Sequence, residues 1–219
     1  MPTLLLRLSA PMQAWGTRSN FSNRDTGREP SKSGVIGLLC AAMGIPRGES
    51  LQDFAALRMG VRIDQPGLIR RDYHTAGMGG VYKVGGGVAK SLIPSDRYYL
   101  ADAKFLVGLE SDDADWLRTL HTALQNPVWF LFLGRKAFVP SERVWIEEGV
   151  QDTDLMTTLS AYDWLGVTNP PERLTVMLDD PAGTIVRNDN PLSFAPRRFL
   201  PRTIRRDTIP NPSFTGEET

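Results

Sequence analysis

A mostly apolar first strand, followed at once by a long polar loop and a cappable helix, constrains this chain more than any other feature. Leu4 to Ile45 reads as strand, loop and helix in that order. Leu4, Leu6 and Leu8 alternate with Leu5, Arg7 and Ser9, so one face is wholly apolar and the other half so, the pattern of a strand near a sheet centre. Pro11 is expected to end it. Gln13, Trp15 and Gly16 follow at the strand exit, and Arg18, Arg24, Arg28 and Lys32 lead into a helix that either Ser31 or Ser33 can cap. Free N–H groups and the positive helix end attract phosphate. Gly34, Gly37 and Gly44 permit close backbone approach, while Val35, Ile36, Leu38, Leu39 and Met43 supply core contacts. The window reads either as an anion-binding entry with Lys32 and Ser33 at the helix start, or as a packed helix behind a solvated loop.

With 219 residues and 41% hydrophobic content, the chain can bury a core as one large domain or a main domain with a small appendage. The longest nearly uncharged apolar run, Val35 to Ile45, is too short to cross a membrane, and the N-terminus lacks a signal-peptide pattern, so the expected location is cytoplasmic. A single cysteine, Cys40, rules out a disulfide framework and a cysteine-rich zinc site. Net charge is zero but unevenly placed. Residues 1–110 carry 14 Lys and Arg against 9 Asp and Glu, residues 111–195 carry 6 against 13, and residues 196–219 carry 5 against 3. Basic ends and an acidic middle are compatible with RNA contact on one surface, or with mutual neutralisation.

Leu57 to Ile63 alternates as a strand, and Gln65, Pro66 and Gly67 make a turn. A glycine-rich stretch at about 69–97 reads as a projecting flexible hairpin. Tyr98 to Leu109 returns to strand character. Asp112 and Asp113 open a helix with Trp116, Leu117, Leu120 and Leu124 on one face, closed by Pro127; Val128 to Leu133 and Phe138 to Ile146 are two further expected strands. The fold expected is α+β: a ferredoxin-like (RRM-like) β-α-β-β-α-β module over 1–150 with a hairpin insert, a small β-rich domain over 151–210, and a disordered tail at 211–219.

Several residues carry candidate chemistry. Trp15 can stack on an unpaired base or fill the sheet edge, and Gln13 can bond a base edge, a phosphate or its own loop. Arg70, Arg71, Asp72, Tyr73 and His74 form the densest polar cluster, suited to phosphate contact or to a surface salt bridge. Gly134, Arg135 and Lys136 read as a loop that lets a nucleic-acid backbone approach, or as a charged turn. Arg197, Arg198, Arg202, Arg205 and Arg206 are a further basic segment. No GxxxxGK[ST] phosphate loop is present, and two histidines, His74 and the structural His121, leave little for metal chemistry, so no cofactor or metal is expected.

Four blocks taken together, APMQAWG (Ala10 to Gly16), SKSGVIGLL (Ser31 to Leu39), RDYHTAG (Arg71 to Gly77) and LGRKAFVP (Leu133 to Pro140), with a weaker PRRFLPR (Pro196 to Arg202), resemble the CasD family of the RAMP superfamily. Members of this family hold the 5′ handle of the guide RNA in type I-E CRISPR surveillance complexes (Cascade). The resemblance implies a non-catalytic subunit in antiviral defence, contacting CRISPR RNA through Gln13, Trp15, Arg18, Lys32, Ser33, Arg71, Tyr73, His74, Gly134, Arg135 and Lys136. It also implies that the hairpin insert is a thumb, with Tyr82, Lys83 and Lys90 reaching RNA or the adjacent backbone subunit. The large subunit would be a further partner and target DNA an indirect one, with no membrane contact. The alternatives are a metal-independent endoribonuclease of CRISPR precursor RNA, with Tyr73 and His74 as reacting groups, and a pure assembly adaptor. Gln151 to Ala195 carries no matching motif.

Overall fold

The structure is a computed structural model and describes residues 1–16, 22–77, 80–82, 85–89 and 92–215. In chain order its elements are β1 (Thr3–Gln13), β2 (Asn23–Arg24), α1 (Lys32–Met43), α2 (Gln52–Ala56), β3 (Arg58–Gln65), β4 (Leu68–Ala76), β5 (Val81–Tyr82), β6 (Val88–Ala89), β7 (Ile93–Glu110), α3 (Ala114–Gln125), β8 (Trp145–Gln151), α4 (Leu155–Ala161), β9 (Arg173–Asp179), β10 (Ile185–Phe194) and β11 (Arg197–Pro210). One mixed but mostly antiparallel sheet runs in the order β10-β11-β9-β3-β7-β1-β8, with β4 and β2 added to the N-terminal part of β7.

β1 lies between β7 and β8, and both its faces are covered. Leu4, Leu6 and Leu8 pack with Val35, Ile36 and Leu39 of α1 and with Leu117 and Leu120 of α3. Leu5 turns the other way, joining Leu106, Ile146, Leu155 and Leu159 in a second core. Burial on both sides is why the run is nearly continuous in leucine. Pro11 does not end this strand: the ladder passes over it, from Ala10 opposite Ala103 to Met12 opposite Ala101, because a proline costs only the one N–H it lacks. Asp102, across from it, adopts φ 56°.

Two strands were expected, over Val128 to Leu133 and Phe138 to Ile146, yet only β8, beginning at Trp145, forms. The Val128 and Trp129 N–H groups instead donate to the Ala42 and Ala41 carbonyls in the last turn of α1, where carbonyls lack the regular i+4 donor of a helix interior. Leu133 exchanges its bonds with Phe138 and Ala14 rather than with a neighbouring strand. Gly134, at φ 90°, sits so close to Ala14 that an added Cβ would lie 1.7 Å from the Ala14 carbonyl oxygen.

Residues 151–210 make no sheet of their own, contrary to the expectation of a separate β domain. β9 pairs with β3, and β11 and β10 follow outward, so the C-terminal strands extend the main sheet. Residues 211–215 are not a free tail: Asn211 is buried, its side chain donates to the Pro171 carbonyl at 2.8 Å, and Ser213 accepts the Trp164 N–H. Residues 216–219 lie outside the described residues.

Two buried ionic groups tie distant segments together. Arg62, fully buried, bonds both oxygens of Asp64 and the carbonyls of Leu159, Tyr162 and Asp163, fastening the end of α4 to β3. Arg202 of β11 bonds Asp189 of β10 and Asp179 of β9, and Asp179 also takes Lys32 at 3.4 Å. Burial opposes the Arg202 charge, but the two carboxylates outweigh it and hold the guanidinium protonated. Asp189→Ala would leave Arg202 and Lys32 to share the one remaining carboxylate, Asp179, and would take from the start of α1 the acceptor of its Lys32 N–H. We expect a loss of about 3 kcal/mol or more, read as a lower denaturant midpoint at unchanged slope. Gly134→Ala should lower the melting temperature by a change worth more than ~1 kcal/mol, since it adds a Cβ at positive φ against a backbone oxygen, whereas exposed Lys136→Ala should stay within ~0.5 kcal/mol of the parent.

Candidate nucleic-acid interface

The helix start that the sequence offered as an anion site is already filled. Ser31, not Ser33, is the cap and accepts the Gly34 N–H at 3.2 Å, while the Lys32 N–H donates to Asp189 at 2.8 Å. Lys32 itself is 3% exposed, its ammonium spent on Asp179 and the Ala55 carbonyl. Burial lowers its pKa, and Asp179 only partly opposes that. The chain's own carboxylate therefore stands where phosphate was expected, and Lys32 is not a nucleic-acid contact.

Gln13 and Trp15 are also removed from solvent, at 0% and 1% exposure. The Gln13 amide donates to the carbonyls of Leu8 and Ala103, at 3.1 and 2.7 Å, and accepts the Trp15 ring N–H at 3.2 Å. The Trp15 ring lies on α1, where a Cβ on Gly34 would come within 2.8 Å of it. Gly34 thus makes room for tryptophan rather than for phosphate, and no aromatic face is left to stack on a base.

The exposed chemistry lies on the arm where β4 and the first half of β7 pair, from Leu68 opposite Ala101 to Ala76 opposite Ile93. β2 adds a short parallel strand on the other side of β7. Side-by-side residues share a face, so Asp72, Arg97 and Arg24 form one row across three strands. His74 joins that face, 3.4 Å from Asp72. Arg71, Tyr73 and Asp96 lie on the opposite face, with Arg71 bonding Asp96 at 2.7 Å and its guanidinium 6.0 Å from the centre of the Tyr73 ring. The cluster expected from Arg71 to His74 is therefore split: strand alternation sends Tyr73, 63% exposed, away from His74, and the two are not assembled as a reacting pair.

Arg135 completes the first face. Its guanidinium donates to the Tyr98 carbonyl at 2.7 Å and the Arg24 carbonyl at 3.3 Å and lies 5.3 Å from the Phe138 ring centre. Burial lowers its pKa, Arg97 and Arg24 push the same way, and Asp72 and Asp25 pull against them. Three arginines from three segments thus converge, backed by carbonyls and an aromatic ring. Lys136 next to them is exposed. Gly134 serves the close packing on Ala14, not the approach of a ligand.

Arg97 escaped the sequence reading, and Arg24 entered it only as one of four loop cations; the pairing of β2 with β7 that unites them spans more than seventy residues and leaves no local signal. In the C-terminal basic segment Arg202 is internal and Arg205 pairs with Asp180, while Arg197, Arg198 and Arg206 are exposed. Tyr82 is 87% exposed; Arg18, Lys83 and Lys90 lie outside the described residues. Among the described residues there is no group of three or more His, Cys, Asp or Glu side chains able to hold a metal, and no helix long and apolar enough to cross a membrane.

The comparisons with known proteins agree with one another. The family described as CRISPR-associated protein (Cas_Cas5) matches residues 3–207. The Cascade subunit CasD of Escherichia coli (strain K12) is 36% identical over 155 residues, which cover 61% of this chain and 65% of that relative. A crystal structure of a Cas protein superposes with a TM-score of 0.80 at 43% identity, covering 95% of both chains. A chain of a CRISPR RNA-guided surveillance complex superposes with a TM-score of 0.81 at 35% identity, covering 96% of this chain and 91% of that one. On these matches, and on the sheet that carries them, the chain belongs to the CRISPR-associated Cas5 family.

Proposed function

We propose that this chain is the subunit of a type I-E CRISPR surveillance complex, Cascade, that grips the 5′ handle of the CRISPR RNA without cutting it. The observation that carries the reading is the convergence of Arg24, Arg97 and Arg135, where burial and mutual repulsion work against the Arg135 charge and Asp72 and Asp25 offset only part of it. Collecting like charges costs stability unless an anion completes the set, and guanidinium forks match phosphate. The likeness to a Cascade subunit and to a surveillance-complex chain supports RNA as that anion. Arg71 and Tyr73 on the other face of the arm, with Lys136 beside the cluster, are suited to a strand that wraps around it.

The order β8-β1-β7-β3, with α1 and α3 on one face, supports a ferredoxin-like reading of residues 1–150. In this reading the hairpin of β4 and β7 is the thumb. It docks on the adjacent backbone subunit through Tyr82 and its neighbours, the large subunit is a second protein partner, target DNA is met only indirectly, and the setting is cytoplasmic.

The test uses end-labelled RNA carrying a repeat-derived 5′ handle, incubated with the protein in chelator across a salt series and run on native and denaturing gels. Shifted, intact RNA is expected. Arg97→Gln and Arg135→Gln should each weaken binding roughly tenfold, the ~1.4 kcal/mol of a single charged contact. Each should also flatten the slope of log affinity against log salt by ~0.7. Discrete cleavage products would sink the non-catalytic reading, and a salt-insensitive complex would sink the phosphate grip.

A further inference from the structure

We propose that Gln13 and Trp15 are positioning residues that set two arginine-bearing segments, through Thr26 on one side and Leu133 on the other, for the RNA phosphates. The inference rests on the reading of the arginine cluster as the handle site.

Neither side chain can touch RNA, and the whole hydrogen-bonding capacity of the Gln13 amide nitrogen is turned inward. One of its bonds crosses to Ala103 of β7, the strand that carries Arg97; another returns to Leu8 of β1. Its carbonyl oxygen then fixes the indole of Trp15. This rigid strand exit presents two consecutive backbone units to two different loops. The Ala14 N–H donates to the Leu133 carbonyl at 3.1 Å, and Gly134 packs directly on Ala14, which sets the loop bearing Arg135. The Trp15 N–H donates to the Thr26 hydroxyl at 3.0 Å, and the Gly27 N–H donates to the Trp15 carbonyl at 2.7 Å, which sets the segment that leaves β2 just after Arg24. The bond from Arg135 to the Arg24 carbonyl closes the circuit. Arg24 and Arg135 lie 111 residues apart in sequence but hang from neighbouring residues of one strand exit.

Thr26 offers a test that leaves the core intact, because it is only partly buried and sits in a loop. Thr26→Val removes the hydroxyl that accepts from Trp15 and keeps the shape, while Thr26→Ser keeps the hydroxyl. Affinity for handle RNA across a salt series is measured for both, for Arg24→Gln and Arg135→Gln, and for Thr26→Val combined with Arg24→Gln. Gln13→Leu is measured alongside, with its circular dichroism spectrum checked against the parent. Thr26→Val is expected to weaken binding about as much as Arg24→Gln does, with the same flattening of the salt slope of ~0.7. It should add nothing when combined with Arg24→Gln, and Thr26→Ser should restore the parent slope. A folded Gln13→Leu should flatten the slope by more than either single arginine variant.

If Arg24→Gln and Arg135→Gln flatten the slope while Thr26→Val and folded Gln13→Leu leave it at the parent value, the positioning role is overturned and the handle site stands. If the arginine variants themselves leave the slope unchanged, the handle site falls and the positioning role falls with it.

Discussion

β1 is buried on both faces, and that condition governs everything attached to it. A strand covered on one side by α1 and α3 and on the other by α4 and the β9 region has no water to satisfy its polar groups. Gln13 at its last position must find three partners inside the protein, and it does so in β1 itself, in β7 and in Trp15. The satisfied amide converts the end of a central strand into a fixed point. Loops that begin or dock there inherit its rigidity, which is how residues far apart in sequence come to share one surface.

Charge is used in two opposite ways. Arg62 and Arg202 sit inside the protein, each matched by carboxylates and, for Arg62, by three backbone carbonyls. Such groups hold segments in register, because losing either partner would strand a buried charge. Arg97 and Arg135 are bonded differently, Arg97 to a serine hydroxyl and Arg135 to two backbone carbonyls, one of them that of Arg24. The zero net charge of the chain conceals this division. Its basic N-terminal half is in part internal: Lys32, Arg58 and Arg62 answer acids of the same molecule. What remains for an external anion is narrower than the charge count implied, and it is concentrated on the arm.

The C-terminal strands also take on a role that their sequence did not advertise. By pairing β9 with β3 they widen the sheet, and through Asp189 and Asp179 they close the start of α1. Arg187 of β10 further bonds Glu29, in the segment that leads from Arg24 into α1. A helix N-terminus is a generic anion site, so whether it meets a ligand or a carboxylate of its own chain depends on what the rest of the fold places there.

The sequence by itself determined the elements whose signals are local. Alternating leucines marked β1, the spacing of Leu117, Leu120 and Leu124 marked α3, a serine before an apolar run marked the start of α1, and ordered motif blocks marked the family. It also offered Arg135 as a candidate, since a basic pair after a glycine is visible in one line of text. Only the tertiary structure decided which polar residues face outward. Gln13, Trp15 and Lys32 look the same in sequence whether they bind RNA or lie in the core; bonds within the β1 exit turned Gln13 and Trp15 inward, and Asp179 and Asp189 of the C-terminal strands drew in Lys32. Tyr73 and His74 are neighbours in the chain but strand alternation put them on opposite faces, while Arg24 and Arg97, remote in the chain, became neighbours through β2 and β7. Residues 128–133 carry strand-forming side chains, yet the Val128 and Trp129 N–H groups went to carbonyls at the end of α1 and that of Leu133 to Phe138. In each case the deciding partner lies tens of residues away, and hydrogen-bond satisfaction across that distance is a property of the fold, not of any local stretch of sequence.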